Sequence, residues 1–482
     1  MITEMLVTNG GFSSPIKIAP ETSNDGRWTT VIIGENGSRK SLLLRLITEF
    51  ALGGSRYNSR GKSITFAPEG ARRLPTKIIA ISGTPLDRFP RAGNLNVKAI
   101  RRTKRYRDRF VYLGQRASNG MSGVAQCERT LVAAVISNRH LLPERGEFLA
   151  SVFKKLGLMA TLRITLIVAD DEIYEAALRR SSKTFVSLVS AKIKDEVERL
   201  LRTGDHDERL VEAKGIIDEM VTKNRAVALM DRLGQLEGRA PTITLSIGPG
   251  RSRSNGLKMA EWEALLRFGI VEVQETRFWK LSETNEGKLQ KLDISGDDLS
   301  SGQWNWLSSF VGLSLELIPG TLVLIDEPEN SLHPDWQLDY VPVLESICRE
   351  SAKCQVIIAT HSPLIASGVA PQWGNVTMLK RTMIKGKPLI EAVELDSSYG
   401  WTASDVYEKV FQTPPRARDF GVNAARALEI IKIGVPVESE EMDFLSEYLL
   451  QDAEMLPPYD PMRDVLLQVR TSLSRLSNPG NT

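Results

Sequence analysis

The chain has 482 residues, 42% hydrophobic and 25% charged, with a formal net charge of +3, so it has length for two or more globular units and no overall charge that would argue for nucleic-acid binding. Its three cysteines, Cys127, Cys348 and Cys354, are spaced as neither a metal cluster nor a disulfide framework, and no apolar run is long enough to span a membrane; together these point to a reducing, cytoplasmic setting. Charge is nonetheless segregated: residues 91–116 carry nine Arg/Lys against one Asp, and 436–464 carry nine Asp/Glu against one Arg, either as partner contacts or as solvated surface.

Residues 1–30 read as short strands and turns. Val31-Ile32-Ile33 then enters the turn Gly34-Glu35-Asn36-Gly37-Ser38-Arg39-Lys40-Ser41, followed by a leucine-rich helix from Leu42 to Phe50. Strand, glycine-containing loop, Lys-Ser pair and helix start make a Walker A phosphate cradle. The loop around Gly34, Asn36, Gly37 and Ser38 offers backbone donors at a helix N-terminus. Lys40 neutralises phosphate charge, and Ser41 offers a hydroxyl to Mg2+. Arg39 stands where this motif usually has glycine, and three readings of it stay open: a steric brake on turnover, a phosphate contact, or a side chain turned outward. Phe12 and Trp28 are candidates either for the core or for a place near the nucleotide base.

Residues 54–74 read as a loop or hairpin, Lys77–Ile81 as a core strand, and 82–98 as turns. The basic run Arg101, Arg102, Lys104, Arg105, Arg107 and Arg109, with Tyr106 among them, precedes a strand from Phe110 to Leu113. It reads either as a DNA or RNA phosphate contact without sequence readout or as an exposed basic loop. Residues 123–158 are mainly helical, and Leu162–Val168 is a strand. From 172 to 235 the apolar spacing predicts a pair of long helices broken near Gly204-Asp205-His206. Short strands follow at 242–246 and 270–279. Between them Gly248-Pro249-Gly250 reads as a surface turn in preference to a second phosphate cradle, since Pro249 lacks an N–H and no Lys-Ser or Lys-Thr pair follows, ahead of a helix over 258–267.

Leu299-Ser300-Ser301-Gly302-Gln303 lies between an acidic turn and a helix, so Ser capping is one explanation of it. Thr321-Leu322-Val323-Leu324-Ile325-Asp326-Glu327-Pro328-Glu329 is a buried strand ending in carboxylates, of Walker B form. Asp326 is placed to hold magnesium and Glu327 to orient or activate the attacking water. Asn330-Ser331-Leu332-His333-Pro334 follows, with His333 either facing a second subunit or capping the next helix. Thr360-His361-Ser362-Pro363 follows the strand Val356–Ala359.

The order of these motifs resembles that of ATP-binding-cassette (ABC) ATPases, especially the chromosome-maintenance and recombination type. The resemblance covers roughly residues 1–395. It implies an α/β fold: an ABC-type P-loop ATPase head with a helical insertion and a helical C-terminal region. The expected division is 1–120 and 241–398 for the two parts of the core, 121–240 for the insertion, and 399–482 for a partner-binding tail. It further implies that Ser300 and Gly302 reach ATP held by a second copy of the chain, that His361 is a switch histidine beside the γ-phosphate, and that Gln115 couples magnesium to the insertion.

Beyond 400, Trp401–Phe411, 423–434, 440–452 and 461–476 are helical candidates without a nuclease-like carboxylate cluster, so DNA cutting is not expected of this chain. The loop Gly34–Ser41, Ile79-Ala80-Ile81-Ser82, Tyr112-Leu113-Gly114 and Leu456-Pro457-Pro458-Tyr459-Asp460-Pro461 together resemble ATPase subunits of Septu-type and retron-associated antiphage systems. That resemblance implies control of a separate HNH-type nuclease, with reverse transcriptase and RNA–DNA hybrid as further partners. A DNA repair or recombination ATPase and a non-hydrolysing nucleotide-sensing scaffold are the alternatives.

Overall fold

The apolar runs become strands buried along their length. In the computed structural model, residues 2–8, 11–20, 27–53, 63–67, 75–90, 109–116, 123–203, 208–234, 242–247, 252–254, 256–283, 289–349, 353–384, 387–395, 397–410, 416, 420–433 and 439–477 are described. The strands in chain order are β1 Glu4–Thr8, β2 Ile16–Lys17, β3 Trp28–Gly34, β4 Ser63–Ala67, β5 Lys77–Ser82, β6 Phe110–Gly114, β7 Thr161–Val168, β8 Thr242–Ser246, β9 Arg253–Ser254, β10 Val271–Glu283, β11 Leu289–Ser295, β12 Thr321–Asp326, β13 Gln355–Ala359, β14 Gly374–Ile384 and β15 Lys387–Leu395. They form three sheets, ordered β2-β1-β4, β11-β10-β7-β8-β9 and β15-β14-β3-β13-β12-β5-β6.

The seven-stranded sheet positions the site. Its strands β14, β3, β13, β12, β5 and β6 are parallel, and β15 runs antiparallel at one edge. Every residue of β12 and β13 is buried, as central parallel strands covered on both faces require. One face alternates as Ile32, Ile357, Leu322, Leu324, Ile78 and Ala80, and it packs on Leu43, Leu44 and Ile47 of the helix Lys40–Gly53. The same core takes in Met5, Val7, Ile16 and Ile18, so the small β2-β1-β4 sheet closes over the phosphate-loop helix.

Residues 172–235 differ from the expectation. The pair of long helices is four helices, Asp171–Leu178, Ser182–Thr203, Glu208–Met220 and Lys223–Gly234. Asp170 caps the first through its carboxylate and the Ile173 N–H, and Arg180 at φ 51° enters the left-handed region that ends it. The apolar spacing itself stops here, since Arg179–Thr184 carries no apolar residue between Leu178 and Phe185. The predicted break at 204–206 and the turn at 248–250 lie outside the described residues. In 54–74 the described part, Ser63–Ala67, is a strand paired with β1.

The chain divides into Met1–Val406 and Tyr407–Thr482. In the second unit the helices Val422–Ile433, Ser439–Met455 and Pro461–Ser477 enclose Ala427, Ile430, Leu445, Leu449, Leu466 and Leu473. Arg416 pairs with Asp460, whose Oδ1 also accepts the Met462 N–H near the start of the last helix. No helix among the described residues is long and apolar enough to cross a membrane.

Candidate functional site

One rung of the main sheet organises the site. Ile32 pairs with Ala359, Ala359 with Asp326, Asp326 with Ser82, and Ser82 with Gly114. Beyond that rung the chain continues as Ile33 and Gly34, as Thr360 and His361, as Glu327, as Gly83, and as Gln115. Parallel strands present their C-terminal ends on one edge, where open α/β sheets bind ligands. Register thus brings together motifs that the sequence scatters.

At Gly34 an added Cβ would run into the Leu379 carbonyl, so glycine is required for the loop to leave β3 here. Asn36 and Gly37 form the exposed tip, and Ser38 is buried beneath it. Lys40 opens the helix and is 5% exposed. Its Nζ donates to the carbonyls of Gly34 at 2.9 Å and Glu35 at 3.3 Å, and to His361 Nε2 at 2.8 Å. An ammonium only donates, so the imidazole nitrogen facing it carries no proton. Burial draws Lys40 down to about 8, and burial with the Lys40 charge also lowers His361.

Arg39 adopts φ 68°, a conformation that glycine tolerates and other L-residues adopt at a cost. Its guanidinium occupies the space that a side chain on Gly11 would need. Of the three sequence readings, the structure turns this side chain toward the Gly11 turn.

Asp326 is 1% exposed, and its Oδ1 accepts the Ser41 hydroxyl at 3.1 Å. Burial pushes its carboxyl up to about 7; Glu327, Asp87 and Glu329 act in the same direction, and the Ser41 hydrogen bond opposes them. A hydroxyl and a carboxylate, in a place where negative charge is crowded, are hard oxygen donors that fit Mg2+. Glu327 sits at φ 47°, its Oε2 accepting from Asn330 Nδ2 at 3.1 Å and its Oε1 3.9 Å from His361 Nε2. Lys40, Ser41, Asp326, Glu327 and His361 therefore form one contiguous polar set.

Other predicted residues lie around this set. Gln115 Nε2 donates to the Gly83 carbonyl at the end of β5 at 3.2 Å, while Gly83 backs against the Glu327 carbonyl. Ser300 caps the helix Ser301–Glu316, its Oγ accepting the Gln303 N–H at 3.2 Å while Gln303 Oε1 accepts the Ser300 N–H at 2.8 Å. Gly302 packs so closely on the Ser331 carbonyl that a Cβ would collide. The exposed Ser300 is thus tied through its helix to the loop after β12. His333 caps its own helix, Nδ1 accepting the Asp335 N–H at 3.3 Å, and stays exposed. Arg109 donates to the carbonyls of Thr76 and Pro75 at the start of β5, the sheet edge away from the site. Arg101, Arg102, Lys104, Arg105 and Arg107 lie outside the described residues. Trp28 begins β3, roughly 20 Å from its Gly34 end at strand rise, and bonds Asn375; Phe12 packs on the main core.

Sequence reasoning missed three residues. Glu329 ran as an undistinguished member of the acidic turn, yet its carboxylate holds Thr360 and His361. Gln337, in the helix Pro334–Arg349, bridges Leu332 and Ser362. Gln303 completes a capping box with Ser300, and the Ser-x-x-Gln spacing was a readable signal for it.

Residues 165–367, less than half of the chain, match the family profile described as "AAA domain, putative AbiEii toxin, Type IV TA system". That span includes Ser300, Asp326, Glu327 and His361 and leaves out Gly34–Ser41. A solved structure, "Crystal structure of the Smc head domain with an extended coiled coil bound to the C-terminal domain of ScpA derived from Pyrococcus furiosus", is similar at 14% identity and a TM-score of 0.30, over 82% of this chain and 96% of that one. A TM-score this low assigns no fold. The chain carries a mixed α/β domain with a P-loop-type AAA ATPase core and additional helices.

Proposed function

We propose that the chain is an ATP-binding and ATP-hydrolysing switch. In this reading it works as a head-to-tail pair of copies, with Gly34–Ser41 of one facing Ser300 and Gly302 of the other. The convergence of Lys40, Ser41, Asp326, Glu327 and His361 on one sheet edge is the observation that carries this reading. The triphosphate lies over the loop's N–H groups, and Lys40 exchanges His361 for phosphate oxygens. Ser41 and Asp326 would hold Mg2+, which would supply charge neutralisation at the phosphate oxygens. Glu327 accepts the proton of the attacking water, and the neutral His361 helps orient that water. ATP closes the pair and hydrolysis reopens it.

For the process driven, DNA repair or recombination is the simpler reading, supported by the motif order and the basic 91–116 segment. Control of a separate HNH-type nuclease in antiphage defence is the second. The matched profile's description as a putative toxin of a toxin–antitoxin system favours a two-component arrangement of that kind. Glu327→Gln is the test of the common core: turnover falls by about 10²-fold or more, and light scattering shows an ATP-dependent dimer. Unchanged turnover with no trapped dimer would sink the reading. Stimulation of turnover by DNA, against stimulation by a co-expressed nuclease, separates the two processes.

A further inference from the structure

Backbone pairing between β12 and β13 ends where Glu327 N donates to the Ala359 carbonyl at 2.8 Å. Past that point the sheet ladder no longer holds the His361 loop to the Glu327 loop, and side chains take over. Glu329 Oε1 accepts the His361 backbone N–H at 2.6 Å, and its Oε2 accepts the Thr360 hydroxyl at 2.7 Å. Thr360 Oγ1 accepts the Ser362 N–H at 2.9 Å. From the neighbouring helix, Gln337 Oε1 accepts the Ser362 hydroxyl at 2.7 Å while its Nε2 donates to the Leu332 carbonyl at 3.0 Å. Thr360 and Ser362 are buried, so these ties are shielded from water.

Glu329 is a costly residue to keep there. Burial and the nearby Glu327 disfavour its charged form, and its two oxygens are satisfied by the histidine loop. A side chain that served only to end a turn needs neither the burial nor the two donors.

We propose that Glu329 is the positioning residue of His361. With Gln337 as a second tie, it fixes Thr360–Ser362 to the Glu327–Leu332 segment, so that the imidazole and the Glu327 carboxylate keep one geometry. It acts through His361 and touches no reacting atom. The same ties carry motion: a displacement of Leu332, next to the exposed His333, is transmitted through Gln337 to Ser362. This inference rests on the ATPase reading above.

The test compares Glu329→Ala, Glu329→Gln and Gln337→Ala in the full chain, with Glu327→Gln as control, by steady-state ATP hydrolysis and by binding of a fluorescent ATP analogue. Glu329→Ala lowers kcat by about 10²-fold, the scale of a 1 Å misplacement, while KM and the analogue's Kd stay within about threefold. Glu329→Gln recovers most of kcat, because an amide oxygen can accept the His361 N–H and an amide N–H can be donated to Thr360 Oγ1. Gln337→Ala falls between. Wild-type kcat in Glu329→Ala, equal damage in Glu329→Gln, or binding lost in step with kcat each overturns the proposal. Undiminished turnover in Glu327→Gln identifies a failure of the ATPase reading itself.

Discussion

Arg39 allows the backbone and the side chain of the phosphate loop to be tested separately. Arg39→Ala removes the guanidinium but keeps a Cβ at φ 68°, and Arg39→Gly removes both. A left-handed conformation costs an L-residue about 1–2 kcal/mol. Alanine recovers about 0.4–1 kcal/mol over glycine through the unfolded chain. The difference leaves Arg39→Gly more stable than Arg39→Ala by about 1 kcal/mol, the reverse of the order at an ordinary position. All eight tryptophans lie within Met1–Val406, so tryptophan fluorescence in a urea titration reports on the unit that contains the loop. ATP affinity gives the second readout. The guanidinium is turned to Gly11, so both variants bind ATP within about threefold of the parent, whereas a lost charge-assisted phosphate contact costs about 10-fold or more. Equal stability of the two variants, or a tenfold loss of affinity in both, refutes the placement of Arg39.

Nucleotide binding depends on pH through Asp326 and Lys40. Mg·ATP affinity measured by calorimetry is highest between about pH 7 and 8; it weakens below as Asp326 is protonated and above as Lys40 loses its charge. Stability carries the matching signs. Between the ordinary carboxyl value and about 7 the folded chain holds a proton on Asp326 that the unfolded chain has released, so stability falls as pH rises through that window. Between about 8 and the ordinary lysine value the folded chain has already released the Lys40 proton, so stability is regained as pH rises there. Removing the Ser300 cap with Ser300→Ala costs about 1 kcal/mol of stability. If Ser300 also serves the partner's nucleotide, mixing inactive Ser300→Arg chains with inactive Lys40→Ala chains restores turnover in a pulse-free hydrolysis assay, because a mixed pair holds one intact site. No recovery refutes the head-to-tail arrangement.

The parts of the site legible in sequence are those fixed by strand and loop chemistry over a few residues. Val31–Ile33 and Leu322–Ile325 are apolar runs of strand length ending at polar residues, and a buried parallel strand requires that pattern. Gly34 and Asp326 follow such runs directly, Lys40 and Ser41 were read from the loop motif after the first run, and His361 was singled out by the family resemblance. Glu329 and Gln337 were not found, because their partners come from another loop and no local spacing encodes that pairing. At 172–235 a signal was present and passed over: Arg180 ends a helix by a backbone angle, and the polar stretch Arg179–Thr184 interrupts the apolar spacing at the same place.

Three non-glycine residues of the loops around this edge, Arg39, Glu327 and Ser331, adopt positive φ. Each costs of order 1 kcal/mol or more unless its surroundings enforce it. Each has a glycine for a neighbour: Gly11 leaves room for the Arg39 guanidinium, Gly83 backs onto the Glu327 carbonyl, and Gly302 admits the Ser331 carbonyl. Three glycines distant in sequence thus accommodate three strained loop residues by leaving out a side chain. In each pair the glycine side is the more exacting at Gly83 and Gly302, where an added Cβ would meet fixed backbone; at Gly11 it would meet the end of a flexible arginine.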